Sequence, residues 1–315
     1  MLARVPLLIS NWPLNRPAKT TSTTKRCHWV PQGYLRAFAA DPPARSKIWR
    51  FSREHGAKGP ELKPIKKVAV KHHLYAPLDP FTGRRDDSFE RKLGELERWF
   101  GDPVWHALGN EMLDLSWEPL RKMVSLLVAV MQFRNPSHFD MYKDMHAQFV
   151  QLFSSEPGLP SAVEVDGKLH EIDTSSWPAY RDATEDDLKR GWIDQIGTAA
   201  WYAEKLMAMR WSVVCADRPT FITSDNPVTI IHPSLRFRGI GNSETTIMFP
   251  LSPTRLLNMD NRHHEPGNQY YALNDDGSSA NMMIWRQANE YMFSHRHTDE
   301  VCADLIADAE RHGFA

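Results

Sequence analysis

Between Ser116 and Pro136 the chain reads SWEPLRKMVSLLVAVMQFRNP, a helical stretch whose centre is apolar almost all round. A surface helix keeps one polar face, so a helix apolar on every side should be the most deeply buried element of the fold. Ser116 is a natural N-cap, Pro119 suits the first turn, and Pro136 is expected to stop the helix. At 315 residues the chain can enclose such a helix within one large domain or two modest ones.

The flanking patterns divide into blocks. HWVPQGYLRAFA (28–39) reads as an extended segment and then a short helix, with Pro31 in its first turn. KIWRFSR (47–53) alternates as a half-exposed strand, and 65–77 reads as a second strand or an extended connection. Phe89, Leu93, Leu96 and Phe100 make one helical face over 87–100, and ELERWFGDPVWHAL (95–108) also reads as helix. A helix is expected at about 137–153. A polar excursion over about 154–180 follows, read as an inserted loop or short hairpin. Thr184 should cap a long helix carrying Leu188, Trp192, Ile196, Ala199, Ala203 and Leu206.

Beyond residue 210 the period shortens. WSVVC and TFIT flank Asp217, Arg218 and Pro219 as a β-hairpin would, and 228–231, 245–249 and 255–259 supply further strands. Two helices, about 280–294 and 299–311, are expected to finish the chain, the second capped by Thr298. Helices and strands are segregated, not alternating. The class is therefore α+β: five to seven helices packed on a mainly antiparallel sheet, formed largely by residues 211–259 together with the N-terminal strands. Residues 27–315 form one domain, preceded by an arm over 1–26 in which Pro6, Pro13 and Pro17 interrupt any targeting helix.

Charge and cysteine usage narrow the partners. The 38 basic and 39 acidic side chains nearly cancel, so no polyanion-binding surface shows at whole-chain level, although nucleic acid is not excluded as a partner. Cys27, Cys215 and Cys302 are scattered, which points to a reducing, cytoplasmic setting and to neither a disulfide framework nor a zinc ribbon. The longest apolar run, LLVAVM, is too short to span a bilayer, so no membrane partner is expected. No GxSxG, Walker loop, HExxH or strand-following GxGxxG is present. His72-His73, His263-His264 and His295 to His297 lack tight metal-ligand spacing, and Asp140 and Asp144 read as a solvated helix face.

Four positions carry candidate chemistry. Glu97 flanks an apolar stripe and must be paired, hydrogen-bonded or turned to a cleft. Arg134 closes the apolar helix, where it can satisfy the last carbonyls, pair with Glu97, or hold an anionic group. His28 is either a general base or a buried histidine making two hydrogen bonds to backbone. In FITSDNPV (221–228) a strand runs into Ser224, Asp225, Asn226 and Pro227; Ser/Thr and Asx turns account for a corner, yet four consecutive hydrogen-bonding side chains, Thr223 to Asn226, exceed what one corner requires.

HWVPQGYLRAFA, ELERWFGDPVWHAL, MQFRNP, FITSDNPV and FPLSPTRLLNM occur in an order that resembles a bacterial family catalogued as domain of unknown function 4238, over roughly residues 28–295. The resemblance implies a single-domain protein whose characteristic polar residues are His28, Pro31, Gln32, Glu97, Arg134, Ser224, Asp225, Asn226 and Pro227. It brings no established activity.

Three readings follow. In the first, the chain is a hydrolase of a phosphoester or nucleic acid: Asp225 and Glu97 hold a divalent cation, His28 is the base, and Arg134 stabilises developing negative charge. Gln32, Ser224 and Asn226 then contact the ligand. In the second, the same groups bind a small ligand or partner without chemistry. In the third, they are halves of a buried clamp that pins the N-terminal segment to the sheet.

Overall fold

The computed structural model describes residues 26–154, 160–165, 168–171, 173–232 and 239–311. Of the expected arm only Arg26 is described, and it opens strand β1 (Arg26–His28). Pro31 is the N-cap of α1 (Gln32–Leu35), which continues as a 3-10 turn to Phe38. β2 (Lys47–Ser52) and β3 (Gly56–Pro64) are antiparallel neighbours, and β4 (Val70–His72) returns to pair with β1. α2 (Ser88–Glu97) ends before the Asp102 side chain accepts from the Val104 N–H and, with Pro103, starts α3 (Pro103–Asn110). The helix expected over 95–108 is therefore two helices.

α4 (Glu118–Phe133) is the apolar helix, and Leu120, Val124, Leu127, Val128, Val130 and Met131 are all buried. Its N-cap is Trp117; the Ser116 hydroxyl donates instead to Asp114. Pro136 does not stop this helix but begins the next, α5 (Pro136–Ser154), where its missing N–H costs nothing. The 154–180 excursion holds a hairpin, β5 (Ala162–Val165) with β6 (Lys168–Glu171), and the short α6 (Trp177–Arg181). Thr184 and Asp187 form a capping box on α7 (Glu185–Ile196). The expected long helix breaks at Gly197 and Thr198 and resumes as α8 (Ala199–Ala208). Such breaks, with short helices such as α1 and α6, raise the helix number above the five to seven expected.

β7 (Arg210–Cys215), β8 (Thr223–Ser224), β9 (Thr229–Ile231), β10 (Thr246–Ser252), β11 (Arg255–Asp260) and β12 (Gln269–Ala272) follow. The chain ends in α9 (Ser278–Gln287), β13 (Tyr291–Ser294) and α10 (Thr298–Arg311). The first expected closing helix thus stops at Gln287, and its last residues are a strand. One sheet runs β12–β7–β11–β10–β9, antiparallel except for the parallel pair β12–β7; a second runs β3–β2–β13–β8. β2 and β3 therefore belong to a different sheet from β7, β9, β10 and β11, and of the strands within 210–260 only β8 joins them. WSVVC and TFIT do not form a hairpin either. The Thr220 and Phe221 N–H groups both donate to the Pro253 carbonyl, and β8 pairs with β13.

The architecture is α+β with mainly antiparallel sheets. Trp105, Leu127, Val128, Trp192, Trp211, Phe249 and Phe293 share the main core, in which α4 packs against α7 and α8. A smaller core of Phe51, Ile222, Ile284, Met292 and Val301 joins the second sheet to α9 and α10. No helix among the described residues is long and apolar enough to cross a membrane. One feature of the topology places the site: β8 edges one sheet, β9 edges the other, and residues 225–228 connect the two edges.

Candidate functional site

At this connection Asp225 bonds in three directions. Its carboxylate accepts three backbone N–H bonds, from Asn289 at 2.8 Å, Glu290 at 2.9 Å and Tyr291 at 3.1 Å. Its own N–H donates to the Tyr291 carbonyl at 2.9 Å. Its carbonyl accepts from the Trp29 indole at 2.9 Å and the Asn135 amide at 3.0 Å. The N-terminal segment, the α4–α5 junction and β13 thus meet on one residue, which is 1% exposed. Burial pushes the Asp225 carboxyl up to about 6, against the three N–H bonds, which favour the charged form.

Ser224 makes the expected turn, its Oγ accepting from the Asn226 N–H at 3.1 Å. The Asn226 amide donates to the Gln287 carbonyl at 2.9 Å, and its Oδ1 faces Asn135 at 3.3 Å. Gln287 then completes the edge of β9, accepting from the Ile230 N–H at 2.9 Å and donating to the Ile230 carbonyl at 2.5 Å. A side-chain amide substitutes there for a missing strand. Replacing Gln287 by Ala is expected to cost about 1–2 kcal/mol in chemical denaturation, because two backbone groups of an edge strand lose their partner.

Arg134 is the second centre. Its guanidinium, 1% exposed, donates to Glu97 Oε1 at 2.7 Å and to the His28 carbonyl, and lies over the Tyr75 ring at 5.4 Å. The Tyr75 hydroxyl closes the loop by donating to the Arg134 carbonyl at 2.6 Å, one of the helix-end acceptors. Glu97 is only partly enclosed, with 28% of its side chain exposed. His28 Nε2 faces the Lys66 carbonyl at 3.3 Å, and its Nδ1 faces the Gln32 amide at 3.5 Å. The histidine therefore makes two hydrogen bonds, one to backbone and one to a side chain. Burial lowers its pKa.

His28, Gln32, Glu97 and Arg134 come together, and Trp29 links them to Asp225, whose carboxylate is engaged with β13. Sequence reasoning passed over Tyr75, Asn135 and Glu90. Asn135 carried a signal: its Oδ1 accepts from the Ser137 N–H at 3.1 Å, so Asn-Pro-Ser is an N-cap signature for α5. Glu90 also carried one, since it precedes Glu97 by seven residues on α2 and shares its face. Burial pushes the Glu90 carboxyl up to about 7, with Arg134 pulling it down and Glu97 pushing it up, and its Oε2 has no hydrogen-bond partner among the described residues.

The sign of the Glu90 effect follows from linkage. Its folded pKa lies above the unfolded value of about 4.3, so folding takes up a proton between these limits. Stability contributed at low pH is lost as pH rises towards 7. Glu90→Gln is expected to be more stable than wild type by about 1–3 kcal/mol at pH 8, with the difference vanishing near pH 4, by urea denaturation across that range.

A divalent cation at Asp225 and Glu97 does not fit these surroundings. Both Asp225 oxygens are held by backbone N–H groups, Glu97 Oε1 is held by Arg134, and no group of three or more His, Cys, Asp or Glu among the described residues is arranged to hold a metal. Two members of the Arg134 cluster, Gln32 and Glu97, line a cleft of about 740 Å³.

Fold and site define an α+β protein whose polar sequence motifs interlock at a junction between two sheets. The chain belongs to a protein family of unknown function, DUF4238, whose family model matches residues 26–298. No curated protein and no solved structure matches it.

Proposed function

We propose that the chain is a non-catalytic ligand-binding module, with the cleft beside Gln32 and Glu97 as its site and the Asp225 and Arg134 clusters as the frame that holds it. The observation that carries this reading is the state of Asp225. The group that the hydrolase reading needs as a metal ligand accepts three backbone hydrogen bonds instead, while the cleft stays open to solvent. Arg134, fully buried, is likewise engaged with Glu97 and the His28 carbonyl. A catalytic arginine needs a face towards its substrate.

Incubation with p-nitrophenyl phosphate and bis(p-nitrophenyl) phosphate, with Mg²⁺ or Mn²⁺ added, tests the choice. The expected result is no release above that of a heat-denatured sample. Turnover that disappears in a folded His28→Ala variant would overturn the reading in favour of the hydrolase.

A further inference from the structure

The cleft is enclosed by α1 and its 3-10 continuation, the second half of α2, α3, and the turn between β10 and β11. Its volume, about 740 Å³, falls in the range of small-molecule sites. Charge is distributed unevenly over its wall. Arg36, Arg45 and Arg98 all line it and all are exposed, and none is ion-paired among the described residues. The single carboxylate in the lining, Glu97, is already neutralised by Arg134 at 2.7 Å. Three guanidinium groups therefore face one concavity without a counter-charge.

His295 lines the cleft, half-buried, and its buried Nδ1 has no hydrogen-bond partner among the described residues. Burial and the neighbouring Arg296 charge hold the ring neutral, with a pKa of about 4, so at pH 7 it adds no charge to the wall. Gly94 and Gly101 form part of the wall, and a Cβ at either would meet nothing within 4 Å.

Resting on the binding-module reading, the geometry points to a phosphorylated small molecule of nucleotide size as the ligand, its phosphate held by Arg36, Arg45 and Arg98 and its uncharged part placed against His295. A phosphate group matches several guanidinium forks at once, with more oxygens and more charge than a carboxylate, which one bidentate arginine satisfies. A nucleic-acid strand is the competing occupant, and basic and acidic totals of 38 against 39 give no whole-chain excess of positive charge to favour it.

Calorimetric titration of the full chain with AMP, ADP, citrate and a single-stranded oligonucleotide tests the assignment. ADP is expected to bind in the micromolar range, tighter than AMP and at least about tenfold tighter than citrate. The surface double variant Arg36→Ala/Arg98→Ala should weaken ADP by at least about tenfold with an unchanged melting temperature. Gly94→Trp, which projects a ring from the exposed wall, should also block binding. No binding of either nucleotide, citrate as tight as ADP, an oligonucleotide tighter than ADP, or ADP affinity unchanged in both variants would each overturn the inference. Conversion of bound ADP to AMP and phosphate would instead sink the binding-module reading and leave the ligand class standing.

Discussion

Asp225→Ala is expected to lower stability by about 3–5 kcal/mol, because three backbone N–H groups lose a shared acceptor at once. Against a typical total of about 5–15 kcal/mol this is a large fraction, and it corresponds to a fall in melting temperature on the order of 10 °C. Asp225→Asn should cost about 2–3 kcal/mol, despite its similar shape. Its oxygen can take the Glu290 and Tyr291 N–H groups, but its NH₂ then faces the Asn289 N–H, donor against donor. Hydrogen exchange locates the effect: protection should fall first at residues 289–291 and in β8 and β9, the edges joined by this corner. A melting temperature within about 2 °C of wild type for both variants would show that Asp225 does not hold the two sheets together.

The corner shows how far the sequence was legible. FITSDNPV announced a strand that ends in a fixed turn, and the Ser224 bond to the Asn226 N–H is the local part of that expectation. The Asp225 carboxylate was not legible, since its partners lie 64 to 66 residues further along the chain. Two of the strand misassignments share this cause. YMFS was taken into a helix because the four residues carry no turn signal, and their strand character comes from pairing with residues 49–52 and 223–224. TFIT looked like the second arm of a hairpin because it follows a Pro-containing turn. Two N–H bonds to the Pro253 carbonyl divert it to the other sheet. Periodicity, by contrast, found α4, where the burial pattern is carried entirely within the helix. Glu97 and Arg134 were each recognisable as charges at apolar boundaries that need a partner, and they partner each other.

That pairing leads to the second large effect. Arg134→Met removes the charge that Glu97 accepts from, the donor to the His28 carbonyl and the cation over Tyr75, and is expected to cost about 3–5 kcal/mol. Glu97→Gln should cost only about 1 kcal/mol, because Glu97 is partly solvated and glutamine can still accept from the guanidinium. The loss in Arg134→Met should also grow with pH. Without the positive charge that pulls it down, the Glu90 carboxyl moves further above its unfolded value, so proton uptake on folding extends past pH 7 and stability keeps falling there. Urea denaturation at pH 5 and pH 8 should find the larger cost at pH 8. Adding Glu90→Gln to Arg134→Met should then recover about 1–2 kcal/mol at pH 8 and little at pH 5. Equal costs at both pH values, with no recovery from the second substitution, would mean that Glu90, Glu97 and Arg134 do not act as one electrostatic unit. Arg134 would then stabilise the fold through packing alone.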